Sequence, residues 1–121
     1  MGSIDCEQNK YPQALDKFLN ALKIEQMIGD RSGEAATFHA LGILAAEQEK
    51  LEEGVRFMLI CCLVHNSIGH RQTKKVFEDL SQLVSILKYT EKQLDDIFNE
   101  TKESYQLDRG WTLIEMTFEG S

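Results

Sequence analysis

The chain has 121 residues, 42% of them hydrophobic and 27% charged, a balance that fits one folded domain and excludes a disordered or fibrous chain. Its formal net charge is −7, and the 13 basic residues are scattered apart from Arg71, Lys74 and Lys75. Because nucleic acids and anionic membranes are bound through clustered Lys and Arg, we expect neither as a partner.

No segment suggests membrane insertion or export. The longest apolar run, Phe57 to Val64, is less than half of the about 20 residues that a membrane-spanning helix needs. The first residues lack the basic and apolar regions of a signal peptide. The 3 cysteines are an odd number without the spacing of a disulfide framework, which fits a reducing compartment. We therefore expect a cytoplasmic protein.

Apolar residues recur at helical spacing along the chain. Leu15, Phe18, Leu19 and Leu22 fall at i, i+3, i+4 and i+7 and so share one helix face. No stretch has the alternation of a strand. The pattern predicts an all-α fold with helices near 2–9, 12–28, 32–48, 51–67, 72–88 and 91–105.

The predicted helix ends carry recognisable signals. Pro12 suits a first helical turn, where its missing N–H is not needed. Thr90 and Gln93 have the spacing of a capping box, and Gly29 and Gly69 are suited to the left-handed conformation that ends helices.

The chain also repeats itself. Ile28-Gly29-x-Arg31 returns forty positions later as Ile68-Gly69-x-Arg71. A third, more divergent copy follows at a shift of 39, which aligns Phe38 with Phe77. Self-similarity at such a period is typical of stacked structural repeats.

These repeats resemble the tetratricopeptide-repeat (TPR) family, whose motif places aromatic, Leu-Gly and small residues at fixed positions on two helices. The period near 40 is longer than the family's roughly 34 residues and resembles the subclass with longer second helices. Gln93 and Glu100 depart from the motif, since they stand where small residues are expected. The two best matches are Phe38-x-x-Leu41-Gly42 and Ala14-x-x-x-Phe18-x-x-Ala21.

The resemblance implies a tetratricopeptide-type α-solenoid of antiparallel helix pairs, with about two and a half repeats. Residues 1–107 would form this helical-repeat domain, with the first repeat truncated at its N-terminus. Residues 108–121 would be a C-terminal tail or the start of a further helix. The chain could be a slice of a longer array, or the polar helix 91–105 could cap the array.

No residue pattern indicates catalysis or a cofactor. Cys61, Cys62 and His65 share a helix face, but a structural zinc site needs four ligands and no second cluster is present. The apolar surroundings of these cysteines indicate packing, and phosphate-binding and hydrolase motifs are absent from the sequence. We therefore expect a protein that is not an enzyme and binds no metal or cofactor.

The resemblance further implies a concave groove lined by the first helix of each repeat. The Lys and Asn that clamp a carboxylate in some members are absent, because His39 with Ile43 and Glu78 with Gln82 stand there. The groove leans acidic and would prefer a neutral or basic segment. The implied groove residues are Ser3, Cys6, Glu7, Ala36, His39, Ile43, Ala46, Glu47, Lys75, Glu78, Gln82, Ser85 and Ile86.

The sequence thus predicts a non-catalytic scaffold that binds a protein or peptide in its groove. A second interpretation is a self-association or structural module, because the N-terminal face is cut and helix 51–67 is apolar on nearly all sides. A third is a regulatory repeat segment of a larger signalling protein.

Overall fold

The computed structural model describes residues 2–68 and 73–119, with side chains for 12–65 and 75–118. All elements within these ranges are helical and no strand is found there, which confirms the predicted all-α class. The elements are α1 (Gly2–Ile28), α2 (Arg31–Glu47), α3 (Leu51–Ile68), α4 (Thr73–Leu87), α5 (Glu91–Asp108), α6 (Trp111–Ile114) and a π-helical segment (Glu115–Glu119).

The first helix is longer than predicted. The expected break between residues 9 and 12 is wrong, because Pro12 lies inside one continuous helix, α1. Proline fixes φ near its helical value, so its main effect is to remove one hydrogen bond to the carbonyl four residues earlier. The helix therefore continues through Pro12 at a cost of roughly 3 kcal/mol.

The other helix ends follow the predicted signals where the structure describes them. Gly29 takes a left-handed φ of 75° after α1. Thr90 and Gln93 form both hydrogen bonds of a capping box at the start of α5. Asp30 caps α2 by accepting from the backbone N–H of Gly33. Gly69 lies outside the described residues.

Two glycines set the distance between α2 and α3. A Cβ built on Gly42 would lie 3.1 Å from the carbonyl oxygen of Gly54, and a Cβ on Gly54 would lie 3.0 Å from that of Gly42. Side chains at either position would collide with backbone, which cannot give way easily. Close approach of the two helices therefore depends on both residues being glycine.

The central helix α3 contributes more buried apolar side chains to the core of the described residues than any other helix does. It packs against α2, α4 and α5. A helix with apolar side chains on nearly all sides is expected to be buried, and this one is. Its buried apolar side chains are Val55, Phe57, Met58, Leu59, Ile60, Cys61 and Val64.

The C-terminal end of α5 is joined to α2 by a buried polar network around Glu34. The Glu34 carboxylate is fully buried. It accepts hydrogen bonds from the Tyr105 hydroxyl at 2.7 Å and from Arg109 Nη2 at 3.1 Å. Gln26 Nε2 of α1 donates to the same carboxylate at 3.1 Å. A buried charge of this kind is tolerated because it is paired and hydrogen-bonded.

The segment after α5 packs back onto the first three helices. Trp111 Nε1 donates to Gln26 at 2.9 Å, and the Phe118 ring stacks on Phe57 at a centroid distance of 5.8 Å. Gly110 takes a φ of 94° directly against Phe38, where a Cβ would lie 2.9 Å from the ring. The residues from 108 to 118 are thus docked on the core.

Within the described part of the chain, every helix is too short or too polar to cross a lipid bilayer.

Candidate functional site

A cleft of about 480 Å³ opens between α2 and α4, with α3 as its floor. Its walls carry polar and charged side chains, and its floor is formed by buried residues of α3. The lining residues are Ser32, Ala36 and His39 from α2, Cys61 and His65 from α3, and Lys75, Val76 and Glu78 from α4.

The two walls of the α2/α4 cleft are joined by a hydrogen bond between His39 and Asp79. His39 Nε2 lies 2.8 Å from Asp79 Oδ2, and both side chains are less than one-fifth exposed, at 18% and 17%. Lys75 Nζ lies 3.5 Å from the other oxygen of Asp79. Asp79 therefore contacts both walls, and this bridge fixes the spacing between α2 and α4.

The floor of the cleft is chemically unreactive. Burial raises the pKa of the Cys61 thiol to about 12, with a further contribution from the neighbouring Cys62. Burial also raises the pKa of Cys62 to about 11. A thiol is nucleophilic only as a thiolate, so neither cysteine is activated at neutral pH. Cys61 and the buried His65 act as a packed floor beneath the cleft.

Four of the residues implied by the TPR resemblance meet in this cleft. Ala36 and His39 lie on the α2 wall, and Lys75 and Glu78 lie on the α4 wall. Ala36, Lys75 and Glu78 are exposed. His39 is half-buried and is hydrogen-bonded to Asp79.

The remaining implied residues of α2 lie further along the helix. Ile43 is 37% exposed and Glu47 is exposed. Ala46 is half-buried because it packs towards α3, with its Cβ 3.6 Å from the position of a Cβ on Gly54.

On α4 the implied residues separate. Gln82 and Ile86 are exposed beyond the cleft, and Ser85 lines a different cleft, the one between α4 and α5. The implied residues of the first helix, Ser3, Cys6 and Glu7, have side chains outside those that the structure describes.

The second cleft, between α4 and α5, is larger and more apolar, with a volume of about 590 Å³. The Phe77 side chain on its α4 wall is 52% exposed. Its lining residues are Leu59 from α3, Phe77, Leu80, Ser81, Val84 and Ser85 from α4, Lys88 and Tyr89 from the connection, and Leu94, Asp95 and Phe98 from α5.

Sequence reasoning missed Asp79, which holds the α2/α4 cleft together. The repeat does not single it out, because the 39-residue shift that aligns Phe38 with Phe77 matches His39 with Glu78, the acidic neighbour of Asp79. The floor residues Cys61 and His65 were missed because their apolar surroundings indicated core alone.

The described residues contain no group of three or more His, Cys, Asp or Glu side chains arranged to hold a metal ion. The His39–Asp79 hydrogen bond shares the cleft with the Cys61 thiol, which burial keeps from being activated.

Comparisons with protein-family models, with curated proteins and with solved structures give no match to this chain.

Proposed function

We propose that this chain is a non-catalytic TPR-type module that binds a protein or peptide segment in the α2/α4 cleft, in the cytoplasm. The module would be an α-solenoid in which α2 pairs with α3, and α4 with α5, in antiparallel fashion. The contacts of Phe38 with Phe57 and of Gly42 with Gly54 support the antiparallel α2–α3 pair, because residue numbers that rise along α2 meet numbers that fall along α3.

The observation that carries the proposal is the meeting of side chains from two successive repeats in one cleft. His39 on α2 and Asp79 on α4 join the two walls at 2.8 Å. The first helices of neighbouring repeats line the groove of a TPR array, and α2 and α4 would be two such helices. A cleft between them therefore lies where the resemblance implies a partner site. Its exposed lining is available to a partner.

The cleft offers mixed chemistry. Ala36 and Val76 supply apolar surface, and Lys75 and Glu78 supply one charge of each sign. With Asp79 bridging the walls, the acidic side chains of the described lining and its surroundings outnumber Lys75. We therefore expect a neutral or basic segment with small apolar side chains to be preferred over an acidic one.

A peptide selection with matched variants tests this proposal. Peptides from a random library would be selected on the chain and their affinities measured by calorimetry. The cleft variant carries Ala36→Arg and Glu78→Lys, both at exposed positions, so folding should be retained. The control carries Gln106→Arg and Glu103→Lys on the exposed face of α5, which changes the net charge equally.

We expect the cleft variant to lose affinity by about tenfold or more and the control to keep it within about twofold. Circular dichroism would verify that both variants are folded. Equal loss in both variants, or selection of acidic peptides, would count against the α2/α4 cleft as the site.

A second candidate function, self-association, is favoured by an apolar stripe on α1. Ile24, Met27 and Ile28 are 57%, 78% and 69% exposed, and their spacing of three and four residues puts them on one side of the helix. Sedimentation of the chain beside a Met27→Lys variant distinguishes the two functions. A mass that rises with concentration and returns to monomer in the variant would favour self-association.

A further inference from the structure

The face of α4 towards α5 has a counterpart elsewhere in the molecule. At the 39-residue shift, Phe77, Leu80 and Ser81 of α4 correspond to Phe38, Leu41 and Gly42 of α2. On α2 this face is covered by α3, and Phe38 is fully buried. On α4 the equivalent Phe77 is 52% exposed. The molecule itself thus shows that a helix is what covers such a face.

The residues of α5 explain why that helix does not cover α4. Gln93 stands at the position of Gly54, so α5 lacks the small residue that lets α3 approach α2. Asp96 likewise replaces Phe57. Instead, α5 packs against α3, and its C-terminal end is held by Glu34. The cleft between α4 and α5 therefore stays open.

The open cleft carries apolar side chains at helical spacing on both walls. Phe77, Leu80 and Val84 lie at i, i+3 and i+7 on one wall, and Leu94 and Phe98 lie at i and i+4 on the other. Apolar side chains at this spacing can accept the ridge of side chains that an amphipathic helix presents.

The charges beside the cleft differ between its α5 wall and the connection. On the α5 wall, Asp95 lines the cleft and Glu91 lies one turn before it on the same side of the helix; both are exposed. Lys88, in the connection between α4 and α5, is the basic residue of the described lining. A helix lying against the α5 wall gains from Lys or Arg along the flank that faces Asp95 and Glu91.

We propose that the α4/α5 cleft is a second docking site, separate from the α2/α4 cleft, for a basic amphipathic helix of a partner protein. The partner's apolar face lies on Phe77, Leu80 and Phe98. Its basic flank faces Asp95 and Glu91 on α5.

The probe is a fluorescein-labelled helix of 18 residues, as long as α5, with Leu on one face and Lys on its flanks. Two matched probes carry Glu in place of Lys, or the same residues in scrambled order. Fluorescence anisotropy gives the affinity of each probe. We expect micromolar binding of the Lys helix and at least about tenfold weaker binding of the other two.

Variants locate the site. Phe77→Glu and Asp95→Lys should each weaken binding of the Lys helix by about tenfold. Ile86→Glu on α4 and Glu103→Lys on α5 alter exposed residues of the same helices outside the cleft and should change it by less than about twofold. The Ala36→Arg and Glu78→Lys variant of the other cleft should bind as the unchanged chain does.

Three results would overturn the proposal. One is equal binding of the scrambled probe, which would indicate charge attraction alone. Another is an equal loss with Ile86→Glu. The third is a concentration-dependent mass in sedimentation that Phe77→Glu abolishes, because a second copy of the chain would then fill the cleft.

Discussion

The α2–α3 and α4–α5 helix pairs occupy equivalent places in the repeat and are built differently. In the first pair the backbones approach until a Cβ would reach the opposite carbonyl at 3.0 Å. In the second pair the helices stand apart, with a cleft of about 590 Å³ between them. Gly54 lies at the point of closest approach in the first pair, and Gln93 occupies the matching position in the second pair at the 39-residue shift.

The difference shows that one position can serve either helix packing or helix initiation. The Gln93 side chain accepts a hydrogen bond from the Thr90 backbone N–H at 2.9 Å and so completes the capping box of α5. A glycine there would allow close approach but would remove that hydrogen bond. The α2–α3 pair, the closed pair, therefore contributes to the core, whereas the α4–α5 pair, the open pair, leaves apolar side chains such as Phe77 exposed.

The largest expected effect comes from the two equivalent aromatic residues. Phe38→Ala empties a fully buried site, so we expect a loss of about 4 kcal/mol in the free energy of unfolding. Phe77→Ala removes a half-exposed ring and should cost under about 1 kcal/mol. Urea denaturation of both variants measures the difference. Similar losses would mean that the two pairs are closed to the same extent.

A smaller effect is expected at the helix crossings. Gly42→Val places a branched side chain against the Gly54 carbonyl and Met58, and we expect it to cost about 2 to 3 kcal/mol. Ser81→Val makes the equivalent change at an exposed position and should stay within about 0.5 kcal/mol. Both substitutions put valine in a helix, so the contrast isolates packing. It would be sharpened by thermal melts of the two variants side by side.

The smallest effect concerns the bond that holds the end of α5 to the closed pair. Tyr105→Phe removes the hydrogen bond to the buried Glu34 carboxylate and should cost about 1.5 kcal/mol at neutral pH. Glu100 lies on the same helix as Tyr105 and forms an exposed ion pair with Arg56 of α3. Glu100→Gln should therefore cost under about 0.5 kcal/mol.

The same tyrosine gives a pH dependence. Burial raises the pKa of Tyr105, and the hydrogen bond to Glu34 raises it further, so the fold favours the neutral phenol. Its contribution is complete below the ordinary tyrosine pKa of about 10 and is lost as pH rises through the raised value. Unfolding free energies measured across this alkaline range should fall more steeply for the unchanged chain than for Tyr105→Phe. Parallel curves would show that Tyr105 does not carry the effect.

Local patterns predicted the parts of the fold that depend on neighbours in sequence. The helix periodicity placed α2 to α5 within three residues of their observed ends. The Thr90–Gln93 spacing predicted a capping box that forms, and Gly42, a glycine of the repeat motif, lies where α2 meets α3. Each of these features is decided by residues within one turn or by the repeat itself.

Contacts between distant residues were not predictable in this way. The hydrogen bonds of Glu34 with Tyr105 and Arg109 span 71 and 75 residues. In sequence, Tyr105 is only the end of a polar helix, and nothing near it signals a buried carboxylate. Pro12 was read as a helix start because proline is common there, although its φ also fits a helix interior.

Four of the groove residues that the resemblance implied, Ala36, His39, Lys75 and Glu78, line one cleft in the structure. The role of Asp79 and the opening between α4 and α5 could not be predicted from the repeat, because they depend on contacts of individual side chains. Glu78 and Asp79 are adjacent acidic residues, and only the position of His39 across the cleft distinguishes them.

The Glu34 network also sets an order of events during synthesis. Glu34 leaves the ribosome while Tyr105, Arg109 and Trp111 have yet to be added, so its carboxylate is first hydrated by water. The helices up to α4 can form and begin to pack, but this carboxylate is buried only when the end of α5 is free to replace the water around it. Burial of Glu34 is therefore a late step, which follows the packing of α2 against α3.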